Sequence, residues 1–387
     1  MNFEYFLAKR IISTKSYKNS ISGPIIKIGI AAIALGVIVM LISIATGLGM
    51  QYEIKNKISA FNGDISIYNF QSVNYEDSNI PLDFDENLYN NIINTEGVIK
   101  VQKIATKFGL IRTIKDFDGV FFKGIDEDYD LDRIRKFLIE GDFPNISDSI
   151  SNKVLVSKLL ANRLKLNIGD SFQMLFSRNS ESSAIRKFII TGIFSSGFNE
   201  LDSSYIIGDI SHVQKINKWN NDQIGNLEVF IDNYENLDLL TNKIYSMTPS
   251  TVNVQSIRDK YYSIFDWIKL FDKNMIAIII IMIIVASINI ITVLIVLILE
   301  RTNMIGVLKS LGSTNNSLRR FFIYNSLYIV SLGLLIGNSA GLILIYLQKK
   351  YELISLDSEI YYVSSVPVHF DLYYIIGLNV LTFFICF

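Results

Sequence analysis

The 387 residues include one cysteine, two histidines and five prolines. A single cysteine, Cys386, excludes an intrachain disulfide. His212 and His369 with that cysteine supply too few ligands for a structural or catalytic zinc site. No G-x-x-x-x-G-K-[ST] run occurs, so the chain carries no P-loop and no nucleotide site of that kind. The acidic run DEDYDLD (Asp126–Asp132) departs from the EF-hand pattern, because its sixth position is Leu131 and its twelfth is Phe137. It reads as a solvated loop. Serines are scattered with no base in a recognisable motif. No catalytic residue and no metal site are assigned, and no enzymatic activity of the chain itself is expected.

Charge is missing from long stretches. Ile28–Tyr52, Met275–Leu299 and Phe321–Leu347 contain no charged residue, and each exceeds the roughly 20 residues that span a bilayer as a helix. A fourth apolar run starts at Leu372 and continues to Phe387. The first run is longer than the roughly 7–15 apolar residues of a signal peptide and no A-x-A-like site follows it, so it reads as a retained span. Lys9, Arg10, Lys15 and Lys18 precede the first span; Arg301, Lys309, Arg319 and Arg320 separate the second and third. Positive-inside bias places both segments in the cytoplasm and the long region from Glu53 to Asn274 on the other side. The mixed charges of Lys349, Lys350, Glu352, Asp357, Glu359 and Asp371 fit a short outer loop.

Phe3, Phe6, Leu7 and Ile11 fall on one helical face, which suggests an amphipathic helix lying on the inner surface. The outer region reads as α+β: GDISIYNF alternates like a strand, NLYNNIIN is a short helix, and VQKIATKFGLIRT and GVFFKGID are strands. KVLVSKLLANRLKL reads as an amphipathic unit. Tyr261, Tyr262, Phe265, Trp267 and Phe271 form an aromatic belt before the second span, on a helix expected to run on into the membrane.

Gly333, Gly337 and Gly341 recur every four residues and mark a helix contact; Ala32 and Gly36 offer a weaker version in the first span. Asn289, deep in the second span, needs a partner and is expected to face another helix. Between the second and third spans, Met304, Val307, Leu308 and Leu311 form an apolar stripe at 3/4 spacing. Gly312 ends that helix, and Asn315–Ser317 offers an N-cap for the next. A turn needs only a few residues, so this segment reads as a surface helix that docks a cytoplasmic partner.

Several segments resemble the FtsX/MacB-type ABC transporter permeases, and within them the lipoprotein-releasing LolC/LolE-type transmembrane subunits. They are FLAKR with the first span, VLVSKLLANRLKLNIGD, GIFSSGFNELDSSYIIGDISHVQ, FDKNMIAIIIIMIIVASINIIT and ERTNMIGVLKSLGST. Two positions depart from that pattern: Met304 where an acid is usual, and Asn325-Ser326 where an acid or amide precedes glycine. The resemblance implies a membrane α-helical fold with four transmembrane helices, the fourth apparently truncated, and a large α+β periplasmic domain between helices 1 and 2. The corresponding layout is a cytoplasmic amphipathic segment (1–24), transmembrane helix 1 (25–50), a MacB-like periplasmic domain (51–273) and helix 2 (274–299). A cytoplasmic coupling helix (300–320), helix 3 (321–347), a periplasmic loop (348–370) and an incomplete helix 4 (371–387) follow. The family continues into a short cytoplasmic tail that is missing here, which implies a fragment or a truncated reading.

By the same resemblance, Glu300, Arg301, Ile305, Gly306, Leu308, Lys309 and Gly312 form the helix that receives a separate ATPase. Two permease copies, identical or paralogous, would work with two ATPases that bind ATP and Mg; the chain itself holds no cofactor. The expected setting is the bacterial inner membrane, with the N-terminus cytoplasmic. The expected work is extraction of lipoproteins for a periplasmic carrier and the outer membrane. Ile44, Leu48, Ile279 and Ile283 would meet the acyl chains and membrane lipid, and no nucleic-acid partner is expected. A MacB-like efflux or FtsX-like mechanotransmission permease, and a non-transporting scaffold or receptor, are the alternatives.

Overall fold

The computed structural model describes residues 22–72, 77–113, 116–146, 149–178 and 182–386. The amphipathic helix expected around Phe3–Ile11 lies outside them. The chain divides into two compact units. One comprises residues up to Tyr52, Asp266–Ser355 and Ser365–Phe387; the other comprises Glu53–Phe265 and Leu356–Ser364.

The first unit is helical. Among the described residues three helices are long and apolar enough to cross a membrane: Gly23–Asn62, Tyr262–Glu300 and Asn315–Tyr351. The first and second, of 41 and 39 residues by hydrogen bonding, run for about 60 Å at 1.5 Å per residue, roughly twice the hydrocarbon thickness. Each therefore continues well past its apolar run without a break. A further apolar helix, Leu372–Cys386, has 15 residues, about 22 Å, which is shorter than a full crossing. The core of this unit is a stripe from each long helix. Ile33, Val37, Met40, Leu41 and Ile44 meet Ala286, Ile290, Val293 and Leu297, with Ile329, Val330, Ile345 and Leu378 completing the cluster.

The second unit is built on strands β1 (Ile65–Asn69), β2 (Leu82–Asp83), β3 (Val98–Arg112), β4 (Phe117–Ile125), β5 (Leu138–Gly141) and β6 (Lys153–Ser157). They are followed by β7 (Ser171–Arg178), β8 (Ser182–Phe194), β9 (Tyr205–Asp209), β10 (Gln223–Ile224), β11 (Asn226–Ile231) and β12 (Val252–Ser256). Ten strands form one mixed sheet in the order β12-β1-β11-β3-β4-β9-β6-β8-β5, with β7 bridging β3 and β8; β2 and β10 pair separately. β4–β9 and β6–β8 are parallel, and each needs a crossover. Phe122, Phe176, Phe188, Phe198 and Phe230 are fully buried, and Phe122 stacks on Phe188 at 4.9 Å. His212 packs edge-on against Phe188, donates from Nε2 to Ser151 O at 3.0 Å, and is lowered in pKa by burial.

The segment KVLVSKLLANRLKL is not one amphipathic unit. Its apolar β-branched half is strand β6, and Ser157 then caps the helix Lys158–Leu164 by accepting from Leu160 N at 3.1 Å. The aromatic belt before the second long helix is also divided. Tyr262 is exposed, Trp267 meets Phe271 edge-on at 5.1 Å, but Phe265 is buried and stacks on Tyr234 of the outer unit at 5.7 Å. Part of the short outer loop packs on the outer domain. Leu356–Ser364 joins the second unit, where Tyr362 stacks on Phe198 at 4.3 Å and its carbonyl accepts from Lys57 Nζ at 3.0 Å.

The sheet buries one ion pair. Lys123 Nζ donates to Glu228 Oε1 at 2.6 Å and to Phe61 O at 2.5 Å, with side chains 5% and 4% exposed. Removing one partner strands a buried charge, at a cost of about 3–5 kcal/mol; removing both with apolar groups of similar shape costs far less. Lys123→Met is thus expected to lower the thermal midpoint of the purified full-length chain by several degrees. Lys123→Met combined with Glu228→Leu is expected to recover most of that loss. A double variant no better than Lys123→Met would show that the pair is not an isolated unit.

Candidate functional site: the helix between the second and third spans

The segment after Glu300 folds as a short helix, Thr302–Ser310. Thr302 begins it by turning its hydroxyl back to Leu299 O at 2.7 Å. Its end is closed by a Schellman motif. Gly312 N donates to Lys309 O and Ser313 N to Leu308 O, both at 3.0 Å, with Gly312 at φ +91°. A side chain at Gly312 would strain that backbone. The next helix starts at once: Thr314, not Asn315–Ser317, is its N-cap, with its hydroxyl accepting from Ser317 N at 3.3 Å. Asn315 and Asn316 lie inside the first turn, so Thr314 is the last residue with the extended backbone that a cap requires.

The C-terminal end of the short helix is therefore closed, and its faces differ. Met304, Ile305 and Leu308 are half-buried, whereas Val307 and Leu311 are 59% and 78% exposed. Gly306 and Lys309 are exposed, and no atom would meet a Cβ built on Gly306 within 4 Å. The stripe read from spacing thus splits into an inner edge and an outer edge. The outer edge, Val307 and Leu311 one turn apart with Lys309 between them, presents apolar surface flanked by positive charge. Glu300 and Arg301 lie at the junction with the preceding long helix.

The helices that carry this segment are packed through the glycines. A Cβ on Gly333 would lie 2.7 Å from Ile33 Cγ2, one on Gly337 2.8 Å from Ala34 O and Val37 Cβ, and one on Gly341 2.9 Å from Leu41 Cδ1. The three glycines therefore form one track along the first long helix, where only hydrogen fits. Gly36 meets nothing within 4 Å; Gly29, against Val293 Cγ2 at 2.7 Å, and Gly47, against Met275 Cγ at 2.7 Å, are small residues of the first helix that admit a close neighbour.

Asn289 is half-buried beside Ala286, Ile290 and Val293, and its amide makes no hydrogen bond among the described residues. The amides that do meet are Asn338 and Asn379. Asn338 Nδ2 donates to Asn379 Oδ1 at 2.6 Å and Asn379 Nδ2 to Asn338 Oδ1 at 3.0 Å, joining the third long helix to Leu372–Cys386. Sequence reasoning missed this pair, although each is an amide in an uncharged run and each needs a partner. Ile44 is buried in the helical core, and Leu48, Ile279 and Ile283 pack against it.

The outer-domain segments singled out in the sequence converge on neighbouring strands β6, β8 and β9, where they hold loops. Asp202 accepts from Ser196 N at 3.0 Å, Ser196 Oγ at 2.6 Å and Ser195 Oγ at 3.2 Å, and Ser157 Oγ donates to Asp202 O. Gly197, at φ +70°, makes the turn between them. In the other segment Asp170 Oδ2 accepts from Asn167 N at 2.8 Å beside Gly169 at φ +87°. These conspicuous residues are structural.

Comparison with known proteins follows the same division. The family model described as "MacB-like periplasmic core domain" matches residues 28–260, and "FtsX-like permease C-terminal" matches residues 276–387. The chain is 21% identical over 392 residues to the lipoprotein-releasing system transmembrane protein LolC of Neisseria meningitidis serogroup B, covering 96% of this chain and 91% of that protein. It is 24% identical over 258 residues to the LolC of Haemophilus influenzae, covering 65% of this chain and 61% of that relative, less than two thirds of its length. The crystal structure of the periplasmic region of MacB from Actinobacillus actinomycetemcomitans aligns at TM-score 0.35 and 16% identity, over 52% of this chain and 91% of that one.

The glycine track yields a test. Gly333→Leu and Gly337→Leu are expected to lower the thermal midpoint of the detergent-solubilised chain, because backbone and Cβ atoms must move apart. Gly306→Leu, which meets no atom, is expected to leave it unchanged or raise it slightly through the roughly 1 kcal/mol gained over glycine in a helix. Equal effects at all three positions would refute the packing role.

Proposed function

The chain belongs to the family of permeases that joins a MacB-like periplasmic core domain to an FtsX-like C-terminal region, and we propose that it is the lipoprotein-releasing member of an ABC transporter. It is a membrane permease of the Lol/MacB/FtsX family, and its relatives are transport subunits. In the proposed reading a separate ATPase supplies the energy, and a second permease, identical or paralogous, completes the complex. The cargo is an acylated lipoprotein handed to a periplasmic carrier. The N-terminus and the helix Thr302–Ser310 lie in the cytoplasm, and Leu372–Cys386 belongs to a fourth span.

The observation that carries the coupling step is the capped helix with Val307 and Leu311 exposed between two membrane helices. A helix closed at its C-terminal end and tied back to the preceding helix by Thr302 transmits a push as a rigid piece. Its exposed apolar edge with adjacent Lys309 suits a groove on the ATPase, in the manner of helix-in-groove recognition. The push then enters the long helices at Glu300 and Thr314, and the helices Ser22–Asn62 and Tyr262–Glu300 run uninterrupted far beyond their apolar portions. Apolar spans with few polar groups suit mechanical work on an acyl-chain cargo better than passage of an ion. What supports the lipoprotein assignment over a MacB-like or FtsX-like one is the alignment with LolC over nearly the full chain.

Two measurements test this reading. Lys309→Glu is expected to reduce permease-stimulated ATP hydrolysis about tenfold, the effect of losing some 1.4 kcal/mol of contact energy. Gly306→Pro, which breaks the helix at a cost of about 3 kcal/mol, is expected to abolish it while the outer domain stays folded. Unchanged stimulation in both variants would remove the coupling role. For the cargo, depletion of the chain is expected to retain triacylated lipoproteins in the inner membrane; normal sorting would favour an efflux or mechanotransmission permease instead.

A further inference from the structure

The loop between the third long helix and the helix Leu372–Cys386 is shared by the two units. Its arms belong to the helical unit, up to Ser355 and again from Ser365, and its tip, Leu356–Ser364, belongs to the outer domain. On the helical side the buried Gln348 gathers both arms. Its Oε1 accepts from Ile354 N at 3.2 Å, and its Nε2 donates to Val366 O at 3.1 Å. Ser355 and Ser365 form an antiparallel bridge, and Val366 N donates to Ile354 O at 3.0 Å. The second arm then lies along the first long helix. His369 N donates to Ala45 O at 2.9 Å, and a Cβ on Gly49 would overlap the Pro367 carbonyl, so backbone meets backbone there.

The tip is held by a separate set of contacts. Leu356 N donates to Ser364 O at 2.9 Å and closes the neck, and Val363 is buried. Tyr362 sits at φ +62°, a conformation that a tyrosine keeps only where its surroundings fix it. Its ring stacks on the fully buried Phe198, and its carbonyl accepts from Lys57 Nζ. Gly197 leaves room for that bond, because a Cβ there would lie 3.0 Å from Lys57 Nζ and 3.7 Å from Tyr362 O. The turn that receives the tip is tied by Asp202 and directly follows β8, whose 13 residues run for about 43 Å. Between Tyr362 and Val366 the chain reaches at most about 14 Å fully extended, so the link from one anchor to the other is short.

We propose that this loop is a strap, which carries displacement of the third long helix to the Ser195–Phe198 turn and so to the C-terminal end of β8. It is a mechanical link additional to the long helices. A loop that only joined two helices would need neither a buried glutamine binding both of its arms nor a tyrosine held in the left-handed region. The strap is a property of this chain alone, whatever cargo or ATPase it serves.

The test is hydrogen exchange of the full-length chain in detergent, read over the peptide Ser195–Asp202. Gln348→Leu, whose lost hydrogen bonds all go to the two arms, is expected to speed exchange of that turn about tenfold or more. The amides of β6 and β11 are expected to keep wild-type rates, which separates transmission from unfolding. Tyr362→Gly removes the ring but suits φ +62°, and is expected to speed the turn to a similar extent. Lys57→Met gives an independent cut at the tip with the same expected result. Gln348→Leu added to Tyr362→Gly is expected to bring no further change, because the strap is already released. Wild-type exchange of the turn in Gln348→Leu or in both tip variants would overturn the strap. Effects that add in full in the double variant, or exchange raised equally in β6 and β11, would overturn it as well.

Discussion

Inside hydrocarbon no hydrophobic force draws helices together, so contact depends on backbones approaching where side chains are absent. In this chain that approach is made by Gly333, Gly337 and Gly341 against Ile33, Ala34, Val37 and Leu41. The rest of the helical unit depends on it. The track sets the first and third long helices side by side, and Val293 closes on Gly29 to add the second. The reciprocal Asn338–Asn379 amide pair then fastens the fourth apolar helix. A short helix strung between the second and third members inherits that rigidity. The Schellman closure at Gly312 ends that helix, and the Thr314 cap starts the next long helix at once.

The outer domain solves a different problem, that of turning many strands in one sheet. Its buried charges and hydroxyls are used at the corners. Asp202 gathers the Ser195–Phe198 turn, Ser157 starts a helix at the end of β6, and Lys123 with Glu228 ties neighbouring parts of the sheet to the end of the first long helix at Phe61.

The parts legible in the sequence were those that composition or one-dimensional spacing encodes. Uncharged runs mark the long helices, alternation marks β1 and β3, and a four-residue glycine interval marks the face turned to another helix. The parts that were not legible depend on which elements meet. Nothing in KVLVSKLLANRLKL shows that its first half pairs with β8 and β9 in a sheet, and tertiary pairing overrode its helical periodicity. Phe265 looked like an interfacial aromatic because its neighbours are; only the position of Tyr234 makes it a core residue. Asn289 drew attention as a lone amide, yet the amides that pair are Asn338 and Asn379, and pairing is a property of two helices together. Along the helix Thr302–Ser310, spacing identified an apolar stripe but not which edge its own helices would cover.

The central claim is that energy enters through the exposed edge of the helix Thr302–Ser310. It is tested most directly by placing a photo-crosslinking amino acid at Val307 and at Leu311 in the full-length chain in native membranes, with Ile280 on the exposed face of the second long helix as control. The account predicts an adduct between either edge position and a P-loop ATPase, and none from Ile280. Absence of an ATPase adduct from both edge positions, or an equal one from Ile280, would contradict it.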